Sequence, residues 1–256
     1  MPLVTKLVDQ KGNQVRGFEN VYLTASSPEW VNTPDAIEFV RESYFLQRLG
    51  TAMAVRVHAD GADHANDWQK TSTGVIYTVL HRKLVRVFDD ILDRNMNLVY
   101  AFAQEGYDAH RSIPFKELQV SRDDPRVNAA IKRACKDGRI LDVPEENTLE
   151  LSVRASKNGS RFGRYFKPVV GPVAEDYAAW LCEQQRPVGY DWSLTRNGLS
   201  AVDFDKYVVF RPAGLVDYVD GVYSGDFSSR GGRARGEAHV AQKIPPETKV
   251  VRKQVR

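Results

Sequence analysis

The sequence predicts an α+β fold of ferredoxin-like units, the arrangement of RNA-recognition domains, with helices packed against an antiparallel sheet. Two observations lead to this prediction. Short runs of strand-forming residues alternate with longer helical patterns along the 256 residues, and two predicted helices fall among four predicted strands in the first half. The chain is long enough for two cores, so we expect an N-terminal ferredoxin-like domain at residues 1–110 and a C-terminal RNA-binding domain at residues 111–256.

The elements of the first half follow from turn residues and periodicity. Pro34 suits the first turn of a helix that extends to about residue 49. Residues 75–93 carry apolar side chains at helical spacing, which predicts the longest helix of the chain. The four strands are predicted at residues 4–7, 21–24, 51–58 and 97–103.

The second half contains two further helices and a hairpin. The helix at residues 125–137 has Asp123 and Asp124 before it and Gly138 after it, as helix caps require. Residues 173–184 form the other helix. A β-hairpin is predicted from residues 149–154 and 161–166, which flank a Lys-Asn-Gly turn. Short strands are predicted near residues 190–194, 207–210 and 215–218.

Composition and charge narrow the function classes. The formal net charge is +3, yet residues 228–256 hold eight Lys or Arg against two Glu, so this end carries +6 and the rest −3. A basic end suits a polyanionic partner, and a solubilising tail is the alternative. Two cysteines give neither a disulfide framework nor a zinc site. Without an apolar signal core or membrane-length run, we expect a cytoplasmic protein with no membrane partner.

The helix predicted at residues 125–137 is amphipathic. One face is apolar, and cations about one turn apart occupy much of the rest. On a structured RNA this face would lie along the phosphates of a stem, and a solvated basic face is the alternative. The cations predicted to contact RNA are Arg126, Lys132, Arg133, Lys136 and Arg139.

The stretch from residue 152 to residue 167 joins five cations to three aromatic rings without an acid. Cations neutralise phosphates and aromatic faces stack unpaired bases, so this composition is typical of RNA contact. The alternative is a basic edge that prevents aggregation. The residues predicted to bind RNA here are Arg154, Lys157, Arg161, Phe162 and Arg164, and a glycine-rich segment further on adds Arg230, Arg233 and Arg235.

Four motifs follow one another between residues 74 and 199: Leu80-His81, Gln119-Val120-Ser121-Arg122, the basic stretch, and Trp192-Ser193-Leu194-Thr195-Arg196-Asn197-Gly198. Their order resembles the CRISPR-associated endoribonucleases that cut repeat RNA into guide RNA, especially the type I-F enzyme and the processing subunit of type IV systems. The resemblance implies a ferredoxin-like protein that cleaves the base of a repeat hairpin without a metal ion or other cofactor. It also implies that the protein stays on the guide RNA hairpin, beside the other subunits of an effector complex.

The resemblance assigns catalytic residues as well. His81 matches the family's catalytic histidine, and Ser156, or Ala155 by strict alignment, its active-site serine. Trp192 stands where the family has a tyrosine, so it is assigned to RNA binding, and Tyr190, two residues earlier, is the candidate phenol. Attack by a 2′-hydroxyl needs a general base, a role that histidine suits. A half-buried structural histidine is the alternative for His81.

Two function hypotheses follow. The first is the metal-independent endoribonuclease, whose products carry a 5′-hydroxyl and a 2′,3′-cyclic phosphate. The second is a non-catalytic RNA- or DNA-binding subunit of a nucleoprotein complex, with the same basic surfaces. Metal-dependent cleavage at Asp89, Asp90 and Asp93, or at Asp203 and Asp205, is a weaker rival, because acidic runs are usually solvated and no second acidic motif accompanies them.

Overall fold

The computed structural model describes residues 5–40, 44–58, 65–89, 98–99, 101–102, 105, 118–215, 221–224 and 232–239. Its helices are α1 (Thr33–Val40), α2 (Leu49–His58), α3 (Pro125–Asp137), α4 (Arg161–Val170) and α5 (Val173–Glu183). Its strands are β1 (Thr5–Lys6), β2 (Val21–Ser26), β3 (Phe45–Leu46), β4 (Gln69–Leu80), β5 (Lys83–Asp89), β6 (Leu118–Ser121), β7 (Ile140–Asp142), β8 (Thr148–Ser152), β9 (Val188–Trp192), β10 (Tyr207–Leu215), β11 (Gly221–Ser224) and β12 (Arg235–His239).

The larger of two sheets has eight strands in the order β7-β5-β4-β10-β11-β9-β8, with β6 also paired to β10. Its pairs are antiparallel except β9 with β11, which is parallel. Strands from both sides of the expected domain boundary at residue 110 belong to this sheet, since β4 pairs with β10.

The smaller sheet joins the two ends of the described chain. Its order is β1-β2-β12-β3, so β12 lies between two strands that precede it by nearly the whole sequence. Arg48, just after β3, forms an ion pair with the fully buried Glu237 of β12 at 2.7 Å. This pair ties β12 to the start of α2.

The central strand β4 of the larger sheet is buried on both faces. On β4, Val75 and Tyr77 belong to one core, which they share with α2, α4 and α5, whereas Ile76 belongs to the other core, with α1 and α3. Because the side chains of a strand alternate between faces, each core receives every second residue. The consecutive apolar residues 75–77 therefore fill the two cores in turn.

A buried ion pair shows that this sheet curls. Arg86 of β5 donates to the carboxylate of Asp191 in β9 at 2.9 and 2.7 Å, and Tyr165 of α4 donates to the same carboxylate at 2.8 Å. Four strand spacings separate β5 from β9 along the sheet, about 19 Å if it were flat. The contact therefore requires strong curvature. Burial raises the pKa of the Tyr165 phenol above its ordinary value.

The helix predicted at residues 75–93 is wrong. The chain there forms a β-hairpin of β4 and β5, and the turn residues His81 and Arg82 have φ of +48° and +65°. A two-residue hairpin turn of this type needs positive φ at both positions. The prediction failed because a strand buried on both faces is a nearly continuous apolar run, which also contains helical spacings.

Some of the other predicted elements are confirmed and some are wrong. The helices α3 and α5 and the strands β2 and β9 are close to their predicted positions. The strand expected at residues 51–58 is the helix α2, and the second arm of the expected basic hairpin is the helix α4. Ser160 caps α4 by accepting from the Gly163 amide at 2.8 Å.

The predicted ferredoxin-like arrangement is also wrong. Its units are small antiparallel sheets backed by helices. Here a curled eight-stranded sheet contains a parallel pair and has helices on both faces. No helix in the described part of the chain is long and apolar enough to cross a membrane.

Candidate functional site

The first cation of α3 is held by acids. Arg126 forms ion pairs with Asp124 at 2.7 Å and with Glu105, and its guanidinium lies 4.6 Å from the centre of the Phe102 ring. The hydrogen bond from Arg126 keeps the pKa of the Asp124 carboxyl below its ordinary value. Asp124 is also the N-cap of α3, accepting from the Arg126 amide at 2.8 Å. Arg126 therefore stabilises the N-terminal end of α3 through these acids.

Two more cations of this region are also paired. Arg133 lies 3.7 Å from the fully buried carboxylate of Asp89, and Arg139 forms an ion pair with Asp137 at 3.1 Å. Burial raises the pKa of Asp89, against the opposing effect of the two arginines. The cations of α3 that have no acid partner among the described residues are exposed: Lys132 and Lys136.

The stretch after β8 begins with a tight turn. The Ser156 hydroxyl donates to the Gly159 carbonyl at 2.6 Å, and Arg164 donates to that same carbonyl at 2.6 Å. Gly159 has φ of +89°, a conformation that glycine adopts without strain. These bonds fix the turn between β8 and α4.

A carboxylate behind the turn fixes the start of α4. Glu175 of α5 accepts from the Ser160 amide at 3.1 Å and from its hydroxyl at 2.9 Å. A side chain at Gly163 would displace the Glu175 carboxylate from its bonds to Ser160, so glycine there favours this arrangement. The start of the helix is therefore fixed by α5, whereas the turn is fixed by Ser156 and Arg164.

We call residues 154–167 the basic segment. Its five cations are all exposed, and none forms an ion pair with an acid of the described chain. They are Arg154, Lys157, Arg161, Arg164 and Lys167. Lys167 was not among the residues predicted to bind RNA. Phe162, which was, is fully buried between Phe166 and Tyr177, so its ring cannot receive a base in this conformation.

A cavity of about 320 Å³ lies beside the basic segment. Ala155 and Ser160 line it from the segment, and Ala178, Cys182 and Glu183 from α5. This volume is at the lower end of the range for small-ligand pockets. A group held in the cavity would lie next to the cations of the basic segment.

The predicted catalytic residues lie on three separate elements. His81 is exposed in the turn between β4 and β5, and Ser156 is exposed with its hydroxyl bonded within its own turn. Tyr190 is in β9, where it stacks on Trp192 with 5.0 Å between ring centres. No hydrogen bond or ring contact of the described residues joins any two of these three side chains.

The arginines predicted near the C-terminal end have structural roles. Arg233 forms an ion pair with Asp67 at 3.0 Å and donates to the carbonyls of Ser27 and Pro28. Arg235 is buried and donates to the Thr24 carbonyl at 3.1 Å. These two side chains tie β12 and the residues just before it to residues 24–28 and, through Arg233, to Asp67. Arg230 lies outside the described residues.

The structure adds a surface that the sequence did not reveal. Trp192 of β9 is the register partner of Tyr223 in β11, and the Tyr223 ring makes an edge contact with Trp68, 5.4 Å between centres. With Tyr190 these rings form two contacting pairs, which the register of β9 with β11 places next to each other; we call these four residues the aromatic row, and each is partly exposed. Strand pairing brings them together, so spacing in the sequence could not predict it.

The acidic residues considered for a metal site lie apart from one another or form ion pairs with cations. Asp89 is buried at the end of β5, and Asp203 forms an ion pair with Lys206 at 3.1 Å. Asp90 and Asp93 lie outside the described residues. Within the part of the chain that the structure describes, no three His, Cys, Asp or Glu side chains are grouped to hold a metal ion.

Comparison with known proteins bears on the fold. No family model matches the sequence, and no curated protein matches it. A solved protein from Nanoarchaeota, from a study of the accommodation of massive sequence variation by the C-type lectin fold, is similar with a TM-score of 0.54. It is 11% identical, and the match covers 86% of this chain and 96% of that one. The chain therefore has a C-type lectin fold, which overturns the ferredoxin-like prediction.

Proposed function

We propose that this protein binds nucleic acid without cleaving it and that the basic segment holds the phosphates. One observation carries the proposal: five exposed cations lie between residues 154 and 167, and none has an acid partner in the described chain. Free cations release counterions when phosphates replace them, which is the main source of non-specific affinity for nucleic acids. Cations already paired with carboxylates gain less, because the existing pair must first be broken.

The backbone of the segment supports this role. Arg164 and Ser156 fix the turn, and Glu175 fixes the start of α4. The remaining side chains, Arg154, Lys157, Arg161 and Lys167, thus project from a rigid base. Preorganisation of this kind lowers the entropy that binding costs.

Binding without cleavage is proposed because the predicted catalytic residues are apart. Cleavage through a 2′-hydroxyl needs a base and stabilising groups aligned around one phosphate. The positions of His81, Ser156 and Tyr190 on three separate elements give no support to such an alignment. Processing of CRISPR repeat RNA, with the effector subunits as partners, stays a prediction from the sequence resemblance.

The type of fold agrees with a binding role. The Nanoarchaeota protein comes from a study of how a C-type lectin fold accommodates massive sequence variation. In the present chain, buried pairs such as Arg86 with Asp191 hold the framework, and the cations of the basic segment are exposed outside that core. We infer that in this chain the exposed cations of the basic segment can change without disturbing the buried framework.

Two matched double variants test the binding proposal. Lys157→Ala with Arg161→Ala removes two exposed charges from the basic segment, and Lys132→Ala with Lys136→Ala removes two from α3. The first should lower the slope of log affinity against log salt by about 1.4 for a single strand and weaken binding about tenfold. The second should change both values much less. Equal losses in a fluorescence-anisotropy salt series would show that net charge alone matters.

A cleavage assay tests the absence of catalysis. Wild-type protein is incubated in EDTA with an end-labelled hairpin RNA of CRISPR-repeat type, and intact RNA is expected. Cut RNA with a 2′,3′-cyclic phosphate, and a loss of about a hundredfold in His81→Ala, would restore the endoribonuclease prediction.

A further inference from the structure

The cavity beside the basic segment combines apolar walls with carboxylates. Val153, Ala155 and Ala178 are apolar parts of its lining, and Glu175 and Glu183 line it as well. Ionised carboxylates only accept hydrogen bonds, so this composition suits a flat, apolar group whose edge carries N–H donors. The same carboxylates repel a phosphate, so an anion does not suit the interior of the cavity.

Both carboxylates retain the capacity to accept hydrogen bonds. The Oε2 atom of Glu175 accepts from the amide and the hydroxyl of Ser160, but no hydrogen bond within the described residues reaches its Oε1 atom. Glu183 is exposed at the end of α5, and its carboxylate has no ion pair or hydrogen bond inside the described chain. A ligand in the cavity therefore has two acceptors to donate to.

The cations of the basic segment begin at the edge of this cavity. Arg161 directly follows Ser160, and Arg154 lies between Val153 and Ala155, which both line the cavity. Cα atoms of consecutive residues are about 3.8 Å apart, so these exposed cations lie close to the lining. A nucleotide carries its phosphate and its base on one sugar. One nucleotide can therefore contact the cations and the cavity together.

We propose that the cavity holds one unpaired base of a strand whose phosphates lie on the basic segment; this rests on the function proposed above. Proteins bind unpaired bases by enclosing the base faces with apolar side chains and by hydrogen bonds to the Watson–Crick edge. Guanine fits the two carboxylates best, because its edge carries adjacent N–H donors at N1 and N2. Thymine and uracil offer one such donor, at N3. The volume of about 320 Å³ suits a single base.

The first test compares three single strands by fluorescence anisotropy. They are an oligothymidine, the same strand with one central guanine, and that strand with hypoxanthine in place of the guanine. The guanine strand should bind about tenfold more tightly than the oligothymidine, which is the effect of one extra hydrogen bond to a charged group. Hypoxanthine lacks the N2 amino group, so it should lose this gain. Equal affinity of all three strands would overturn the proposal.

The two cysteines of the chain provide a second test, which needs no variant. Both are exposed and free, but Cys182 lines the cavity, whereas Cys135 lies on α3 and outside the lining. The guanine strand at about ten times its Kd should slow alkylation of Cys182 by N-ethylmaleimide about tenfold and leave Cys135 unchanged, because the cavity is then mostly occupied. Mass spectrometry measures both rates. An unchanged rate at Cys182, or equal slowing at both cysteines, would contradict a base in the cavity.

The same residues provide matched variants. Cys182→Leu and Cys135→Leu each enlarge an exposed side chain on a helix, but only the first narrows the cavity. The first should abolish the preference for guanine and the second should keep it. A strand that binds without preference and without protecting Cys182 would exclude the cavity and leave the proposed function standing. Full binding by the Lys157 and Arg161 double variant would overturn the function, and this proposal with it.

Discussion

The helix α3 and the basic segment look alike in sequence, but their cations have different surroundings. In and next to α3, Arg126, Arg133 and Arg139 are paired with Asp124, Asp89 and Asp137, and Arg126 also with Glu105. In the basic segment no cation has an acid partner within the described chain. A count of positive charges therefore overstates the binding capacity of α3.

The difference follows from where the acids are in the fold. Asp89 ends β5 and Glu105 precedes α3 by twenty residues, so neither appears in the sequence of the basic helix. The basic segment instead packs its cap against Glu175, whose carboxylate accepts from backbone and hydroxyl groups. The Glu175 carboxylate is therefore used without forming an ion pair with an arginine or lysine of the basic segment.

The largest expected effect concerns the framework that supports the basic segment. Asp191→Ala leaves the buried Arg86 without its carboxylate and removes the acceptor of Tyr165 in α4, so the free energy of unfolding should fall by about 3–5 kcal/mol. Asp137→Ala breaks the exposed pair with Arg139 and should cost about 0–1 kcal/mol. Urea titrations followed by circular dichroism compare the two. Similar losses would mean that the buried pair does not anchor α4.

A second variant should make α3 resemble the basic segment. Glu105→Gln with Asp124→Asn frees Arg126 and keeps a capping side chain, so the salt slope for single-strand binding should steepen by about 0.7 if one phosphate contact is gained. Glu145→Gln with Asp203→Asn, which frees Arg196 and Lys206 elsewhere, is the matched control. The same gain in both proteins would contradict a local effect.

The smallest expected effect is an opposite pH dependence of two acids bound to α3 cations. The folded-state pKa of Asp124 is lowered from 3.8, so its carboxylate contributes stability above that pH, which is lost as the pH falls through the folded-state pKa. The folded-state pKa of Asp89 is raised, so its contribution falls as the pH rises from 3.8 through that value.

The measurement is urea unfolding at several acidic pH values. The stability of wild type relative to Asp124→Asn should increase with pH, and that relative to Asp89→Asn should decrease. Slopes of the same sign would show that the environment assigned to one of these carboxyls is wrong.

Local signals predicted part of the fold. Asp124 and Gly138 gave the ends of α3, and Gly138 has the left-handed conformation expected of a C-cap. The helix α5 and the strand β9 were found from periodicity and composition. The hairpin of β4 and β5 was missed, because its turn is His81-Arg82 and lacks the Asn-Gly signature.

The sequence identified many residues of the candidate site but not how the fold places them relative to one another. The cations of the basic segment were identified, yet Ser160 begins a helix there and turns Phe162 into the core. Tyr190 and Trp192 were recognised as neighbours on one strand face, whereas Trp68 and Tyr223 join them through the parallel pairing of β9 with β11. Such long-range pairing is decided by tertiary contacts, which a single sequence does not display.

The position of β12 between β2 and β3 also determines when this protein can fold. During synthesis β2 leaves the ribosome about 200 residues before β12, roughly 10–40 s at ordinary elongation rates. For that time the smaller sheet lacks its middle strand, and β2 exposes unpaired amides to other nascent chains. Pairings so distant in sequence also slow folding, because the loop must close before its contacts form. Translation speed and chaperone access during this interval therefore influence the yield of native protein.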